Sequence, residues 1–352
     1  MSCRNSLAFL LAVVLSCACG PRDRYVSFSG FAQGGTYTVK LNLNGCDGMI
    51  RLAPEQIKDS VENILRDIDN SLSGYNRNSI LSRFNAGESV VPDSLFLDIY
   101  TRAWEFYDET SGAVDVASAP LFDIWGFGFK SGNMPDDDLV GRTKAFSGLG
   151  RMKRDMSAVL REDGSLSGYD MLSERGDALP ALNYNAIAQG YSCDMVATFL
   201  RKLGVRDMMV DIGEIYCAGR NPSGNPWTIG IDSPVDGNDT PGSDIQGVFS
   251  MPEGSWGVVT SGNYRKFYVV DGKKYAHTID PRTGYPVGHN LLSATIVAPD
   301  ATSADAYATY CMVIGLEASK DFLESRDGVE GCLVYDEDGL MRTWTSDGFV
   351  LR

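Results

Sequence analysis

The spacing of apolar residues divides the chain into segments of different period. Residues 27–43 alternate between apolar and polar, which predicts strands broken at Gln33-Gly34-Gly35. Adjacent glycines there allow either a simple turn or a close approach of backbone to ligand. Residues 54–72 carry Ile57, Val61, Ile64, Leu65, Ile68 and Leu72 at helical spacing, the apolar face of an amphipathic helix. Residues 93–110 predict a second such helix, and residues 112–115 a turn entering a strand. Residues 134–180 are polar, with charged turns such as Arg161-Glu162-Asp163-Gly164, and predict a helix and a hairpin at the surface. A strand ending near Asn185 then leads into a helix that runs to Leu203 and stops at Gly204.

Alternation returns in residues 264–270 and 273–279, a hairpin turning at Asp271-Gly272. Asp280-Pro281-Arg282-Thr283-Gly284 follows as a tight turn, with Pro281 presetting φ and Gly284 free to take a positive one. A strand over 291–297 ends at Pro299, and a helix opens with Thr302 or Ser303 as its cap. Asp305 and Thr309 lie four apart on that helix, so a carboxylate and a hydroxyl share one face. Such oxygens suit a hard cation like Mg²⁺, although an acid near a helix start also serves the helix dipole. No GxGxxG opens a βαβ unit, so a Rossmann mode of binding is disfavoured. The fold class predicted is α+β, with mixed, mainly antiparallel sheets and outer helices.

At 352 residues, 43% hydrophobic and 22% charged, the chain can bury a sizeable core. A net charge of −15 argues against nucleic acid as a partner. Arg4 and an apolar stretch over 7–15, too short to span a bilayer, form a targeting segment. VLSCACG then resembles a bacterial lipoprotein cleavage site, which Cys17 fits better than Cys19. Residues 1–19 are read as signal peptide and lipobox, with an ordinary secretory peptide as the alternative. Of the eight cysteines, Cys46, Cys193, Cys217, Cys311 and Cys332 are scattered without CxxC spacing. A zinc site is therefore disfavoured, and buried single thiols are expected ahead of a disulfide.

SGNYRKFY, HTIDPRTGYPV and TSADAYAT, in this order and spacing, resemble the ApbE family of bacterial, usually exported FAD:protein FMN transferases. FAQGGTYTV, SGAVDVASAPLFDIWGFG, ALNYNAIAQGYSCD and MMVDIGEIYCAGRNPSGNPWTIGIDSP extend the resemblance over nearly the whole mature chain. It implies a T-fold-like domain over 20–352, built of two intertwined subdomains with FAD in the cleft between them. Flavin contacts are implied at Gln33, which stands in a Met place, and at Tyr75, Ala113, Val114, Asp115, Asn183, Gln189 and His277. Asp305, Thr309 and the backbone carbonyl of Ala186 are implied as Mg²⁺ ligands. His277 is the candidate base or phosphate contact and Asp305 the second catalytic residue. Asp280 either orients His277 or caps the turn, Arg282 and Thr283 are weaker phosphate candidates, and Trp125 and Phe127 are read as core. Three departures stand out. Asn183 replaces an Asp, Gln189 replaces a Lys or Glu, and a single Gly213 before Glu214 replaces a Gly-Gly turn, which could shift the strand register.

The implied reaction is attack by a Thr or Ser hydroxyl of an acceptor flavoprotein on the FMN-side phosphate of FAD, releasing AMP. Implied acceptors are subunits of NQR- and RNF-type respiratory complexes, met by an exported enzyme lipid-anchored to the membrane and facing the periplasm. FAD pyrophosphatase activity, giving FMN and AMP, and a non-catalytic FAD-binding lipoprotein are the alternatives.

Overall fold

In the computed structural model an eight-stranded sheet forms the spine. The structure describes residues 24–45, 48–128, 134–160, 166–172, 179–235, 242–264, 267–270 and 273–352. The targeting segment with Cys17 and Cys19, as well as Cys46, Asp271 and Gly272, lies outside them. The strands are β1 (Tyr25–Ala32), β2 (Gly35–Asn42), β3 (Met208–Asp211), β4 (Ile215–Ala218), β5 (Ser255–Gly262), β6 (Leu291–Ala298), β7 (Glu330–Glu337) and β8 (Leu340–Thr345). Their order in the sheet is their order along the chain, and every neighbouring pair is antiparallel.

The other helices and hairpins are inserted between neighbouring strands. Between β2 and β3 come α1 (Pro54–Leu72), α2 (Ile80–Asn85), α3 (Ser94–Glu109), α4 (Ala119–Ile124), α5 (Asp137–Ala145), the hairpin Met152–Leu160 with Leu166–Leu172, and α6 (Ala188–Lys202). Between β4 and β5 is the ribbon Thr228–Asp232 with Ile245–Ser250. Between β5 and β6 are Phe267–Val270 with Lys273–Ala276, then Ile279–Asp280 with Tyr285–Pro286. Between β6 and β7 are α7 (Ala301–Ile314) and α8 (Leu316–Ser325).

Strand alternation feeds two cores. Val259, Ile296 and Leu333 pack with the helices, while their neighbours Val258, Val297 and Cys332 pack with Trp227, Ile229 and Phe249 of the opposite layer. Both faces are thus covered, which accounts for the runs of buried residues in β6 and β7. The helix α1 has the predicted bounds and buries Ile57, Val61, Leu65, Ile68 and Leu72. Gly204 follows α6 at φ 90°. Cys193, Cys217, Cys311 and Cys332 are buried free thiols. Among the described residues no helix is long and apolar enough to cross a membrane.

Four expectations need correction. No strand ends near Asn185: the backbone of Leu182 is paired instead by the Asn85 side chain, through both its N–H and its carbonyl. Residues 112–115 enter no strand either. Asp115 accepts from the Ala117 N–H and starts a short 3₁₀ turn, Val116–Ser118, that continues into α4 with Pro120 in its first turn. The cap of α7 is Asp300, whose carboxylate accepts from the Ser303 N–H at 2.8 Å; Thr302 bonds to Asp194 instead. The 264–279 hairpin is shorter than predicted and forms its own ribbon, outside the main sheet. At Gly213, β3 and β4 pair without a bulge, from Met208 with Ala218 to Asp211 with Ile215.

Candidate functional site

A cavity of about 790 Å³ opens where the insertions meet one end of the sheet. Eleven residues singled out from the sequence, Gln33, Tyr75, Ala113, Val114, Asp115, Asn183, Ala186, Gln189, His277, Asp305 and Thr309, all line it. They come from the β1–β2 turn, the loop after α1, the segment before α4, the entry to α6, the segment before the 280–284 turn, and α7.

Asp305 stands on the second turn of α7 and is 4% exposed. Its Oδ2 accepts from the Gly190 N–H at 3.1 Å. Burial raises its carboxyl above the usual range; the Gly190 bond opposes the rise and the nearby Asp194 adds to it. No Lys or Arg pairs with Asp305 among the described residues. Thr309 follows one turn later, half-buried, and Ala186 sits in the turn just before α6. Among the described residues no cluster of three or more His, Cys, Asp or Glu stands ready for a metal. The donors available at Asp305 are a carboxylate, a hydroxyl and a carbonyl. That all-oxygen set fits Mg²⁺ completed by water and phosphate, and does not fit zinc. The rest of the lining agrees electrostatically: it carries Asp69, Asp115, Glu214 and Asp305 and, among the described residues, no Lys or Arg.

Gln33 occupies the left-handed region at φ 51°, with Gly34 at φ 81°, the two-residue turn of a tight hairpin. Its amide donates to Ser192 Oγ on α6 and ties the turn across the cavity wall. Tyr75 stands at the rim, 70% exposed. Asp115 is half-buried, accepting from Ala117 N–H at 2.9 Å and from Leu149 N–H with both oxygens. Burial pushes its carboxyl up to about 6 against the pull of those amides. Asn183 is fixed by its N–H, which donates to the Val116 carbonyl at 2.7 Å. Gln189 donates to the Ile212 carbonyl at 3.2 Å and fills the space beside Gly213, where an added Cβ would stand 2.6 Å from its amide nitrogen. The glycine at φ 91° and the glutamine are therefore matched to each other.

His277 reaches the cavity with its ring edge-on to Phe127, the centroids 6.4 Å apart. Both oxygens of Asp280 are engaged by the Arg282 guanidinium at 2.9 Å, and Oδ1 also accepts the Arg282 N–H. Asp280 therefore caps the turn. Arg282 and Thr283 do not line the cavity, while Pro281 does. His289 is structural: its Nε2 lies 2.9 Å from the Met312 carbonyl, and burial lowers its basicity. Trp125 is core, donating from Nε1 to the Gly284 carbonyl at 2.8 Å, with Gly284 at φ 88° as expected. Phe127 is half core and half cavity wall, stacked on Tyr268 at 4.8 Å.

The sequence reading missed several lining residues. Met312 and Val313 continue the face of Thr309 at helical spacing and were open to detection by period alone. Phe31 follows Ser27 and Ser29 on the exposed side of β1, so its 74% exposure marks a break in a polar face. Glu214 and Asp69 carried no local signal. Asp194 lies behind the cavity and is visible only once α6 and α7 are packed.

The ApbE family model matches residues 34–333. The FAD:protein FMN transferase of Haemophilus influenzae is 31% identical, the alignment covering 97% of this chain and 95% of that one. That of Escherichia coli K12 is also 31% identical, over 84% of this chain and 81% of the other. Among solved structures, the flavinyl transferase ApbE of Pseudomonas stutzeri in apo form superposes with a TM-score of 0.75 at 30% identity, covering 93% and 96% of the two chains. The flavin transferase ApbE of Vibrio cholerae gives 0.73 at 27% identity, covering 93% and 98%.

Proposed function

The chain belongs to the ApbE family, and from that premise we propose that it is an FAD:protein FMN transferase working in the cavity described above. The hydroxyl of an acceptor Thr or Ser attacks the FMN-side phosphorus of FAD. A new P–O bond forms, the bond to the AMP oxygen breaks, AMP leaves, and the hydroxyl proton passes to a base. His277 is the residue on the lining suited to take that proton. Asp305, Thr309 and the Ala186 carbonyl would hold Mg²⁺, which supplies positive charge against the developing charge on the diphosphate. Tyr75, Ala113, Val114, Asp115, Asn183 and Gln189 would orient the flavin, and Gln33 holds the β1–β2 turn against α6.

The observation that carries this reading is the convergence of eleven residues from separate segments on one cavity. The acidic lining supports the cation, since a diphosphate entering it needs positive charge from elsewhere. The acceptors proposed are exported flavoproteins such as subunits of NQR- and RNF-type complexes. The proposed location is the periplasmic side of a membrane, anchored through a lipidated Cys, on the ground of VLSC after the short apolar stretch. Incubation with FAD, Mg²⁺ and a candidate acceptor should give a fluorescent acceptor band after denaturing electrophoresis. Rapid release of FMN and AMP without acceptor, and no labelled band with it, would instead establish a pyrophosphatase.

A further inference from the structure

The helices α6 and α7 cross antiparallel with a regular register. Gly190 on α6 meets Asp305 on α7 through the N–H to Oδ2 bond of 3.1 Å. Four residues on, Asp194 meets the start of α7: its Oδ1 accepts from Ala301 N–H at 2.9 Å and its Oδ2 from Thr302 N–H at 2.8 Å, with the Thr302 hydroxyl donating to the same oxygen. One turn further along α7 from Asp305 stands Thr309, and Ala186 sits in the turn just before α6; both line the cavity. The Gly190–Asp305 contact that carries one candidate cation donor and the Asp194 contacts at the start of α7 thus lie one helical turn apart.

The first residue of α7 has no freedom to adjust. A Cβ added to Gly190 would stand 2.2 Å from the Ala301 carbonyl oxygen, and one added to Gly257 on β5 would stand 2.3 Å from Ala301 Cα. Backbone packs on backbone from both sides, and Asp194 fixes the remaining direction. Asp300 already caps this helix, receiving Ser303 N–H at 2.8 Å and Arg102 at 2.9 Å. A helix start leaves four amides without intrahelical partners; Asp300 takes that of Ser303, and Asp194 takes those of Ala301 and Thr302. The partners of Asp194 belong to a different element, so it sets the position of one helix against the other.

We propose that Asp194 is a positioning residue for the cation site: by holding the Ala301 and Thr302 amides it fixes the register of α7 on α6, and so the place of Asp305 and Thr309 opposite Ala186. This rests on the reading of Asp305 as a cation ligand. Asp194→Asn keeps the size of the side chain but turns an amide NH₂ toward an N–H donor, breaking one anchor.

The probe is Mn²⁺ alone, followed by electron paramagnetic resonance on the purified chain, with melting curves and amide exchange alongside. Asp194→Asn should raise the Mn²⁺ dissociation constant by about tenfold, the low end of what an outer partner contributes to a metal site. Exchange at Ala301 and Thr302 should quicken, and the Mg²⁺ needed for half-maximal FMN transfer should rise in parallel while saturating Mg²⁺ restores the rate. Ser346→Ala removes a bond to Gly331 N–H away from the cavity lining; it serves as the stability control and should lower the melting temperature without changing Mn²⁺ affinity. Wild-type Mn²⁺ affinity in Asp194→Asn, with Asp305→Asn impaired, overturns the positioning role alone. Wild-type affinity in Asp305→Asn overturns the cation reading and this proposal together.

Discussion

Gly190 gives its amide hydrogen to Oδ2 of Asp305 across 3.1 Å, so the two helices that carry the candidate cation donors are joined at the carboxylate itself. Gly190→Ala tests that junction. Its Cβ would meet the Ala301 carbonyl oxygen at 2.2 Å, backbone against backbone, and the helices must part. The expected loss is about 1–3 kcal/mol in urea unfolding, against a gain of roughly 1 kcal/mol in helix propensity. Unchanged or increased stability would show that the junction is looser than described.

Asp115 predicts a pH dependence. Its carboxyl is pushed from 3.8 up to about 6 by burial. Between those values the folded chain holds a proton that the unfolded chain has released, so this group lowers stability as pH rises from about 4 to 6, by at most about 3 kcal/mol. Asp115→Asn retains an acceptor for Ala117 N–H and cannot ionise. Its stability relative to wild type should therefore rise across that window, as read by denaturant titrations at closely spaced pH. A constant difference would contradict the burial argument.

Ligand preference follows from the size of the cavity. At about 790 Å³ it has room for both halves of a dinucleotide. Calorimetry in Mg²⁺ should show FAD binding more tightly than FMN, since the adenylate half adds contacts. Equal affinities would place the adenylate outside the cavity.

The anchor is tested at the N-terminus. Mass spectrometry of the chain from membranes should find an acylated Cys17, following VLS. A mature chain starting later without lipid would contradict the proposed location.

What was legible in the sequence was periodic or packed into short motifs. The helix α1 showed its bounds through six apolar positions and Pro54, and the 280–284 turn through Pro281 and Gly284. The converging site residues were legible through the resemblance; geometry alone gave only the pair Asp305 and Thr309. What stayed hidden depended on distant partners. Asn85 satisfies the backbone of Leu182, where a strand was expected to end near Asn185. Asp194 reads as an ordinary helical acid until α7 is packed against it. Asp300 outcompetes Thr302 as a cap because a carboxylate is the stronger acceptor and Thr302 is drawn to Asp194.

The most direct measurement is FMN transfer against Mg²⁺ concentration for wild type, Asp305→Asn and Thr309→Val. Asn at 305 keeps an acceptor for the Gly190 N–H and removes a buried charge, so the melting temperature should not fall while the one carboxylate among the three proposed donors is lost. The account predicts that Asp305→Asn transfers FMN at least roughly 100-fold more slowly at any Mg²⁺ concentration, because the lost charge acts in the transition state. Thr309→Val should need more Mg²⁺ and retain substantial turnover. A folded Asp305→Asn that transfers FMN at the wild-type rate with the wild-type Mg²⁺ dependence would contradict the cation site and the mechanism built on it.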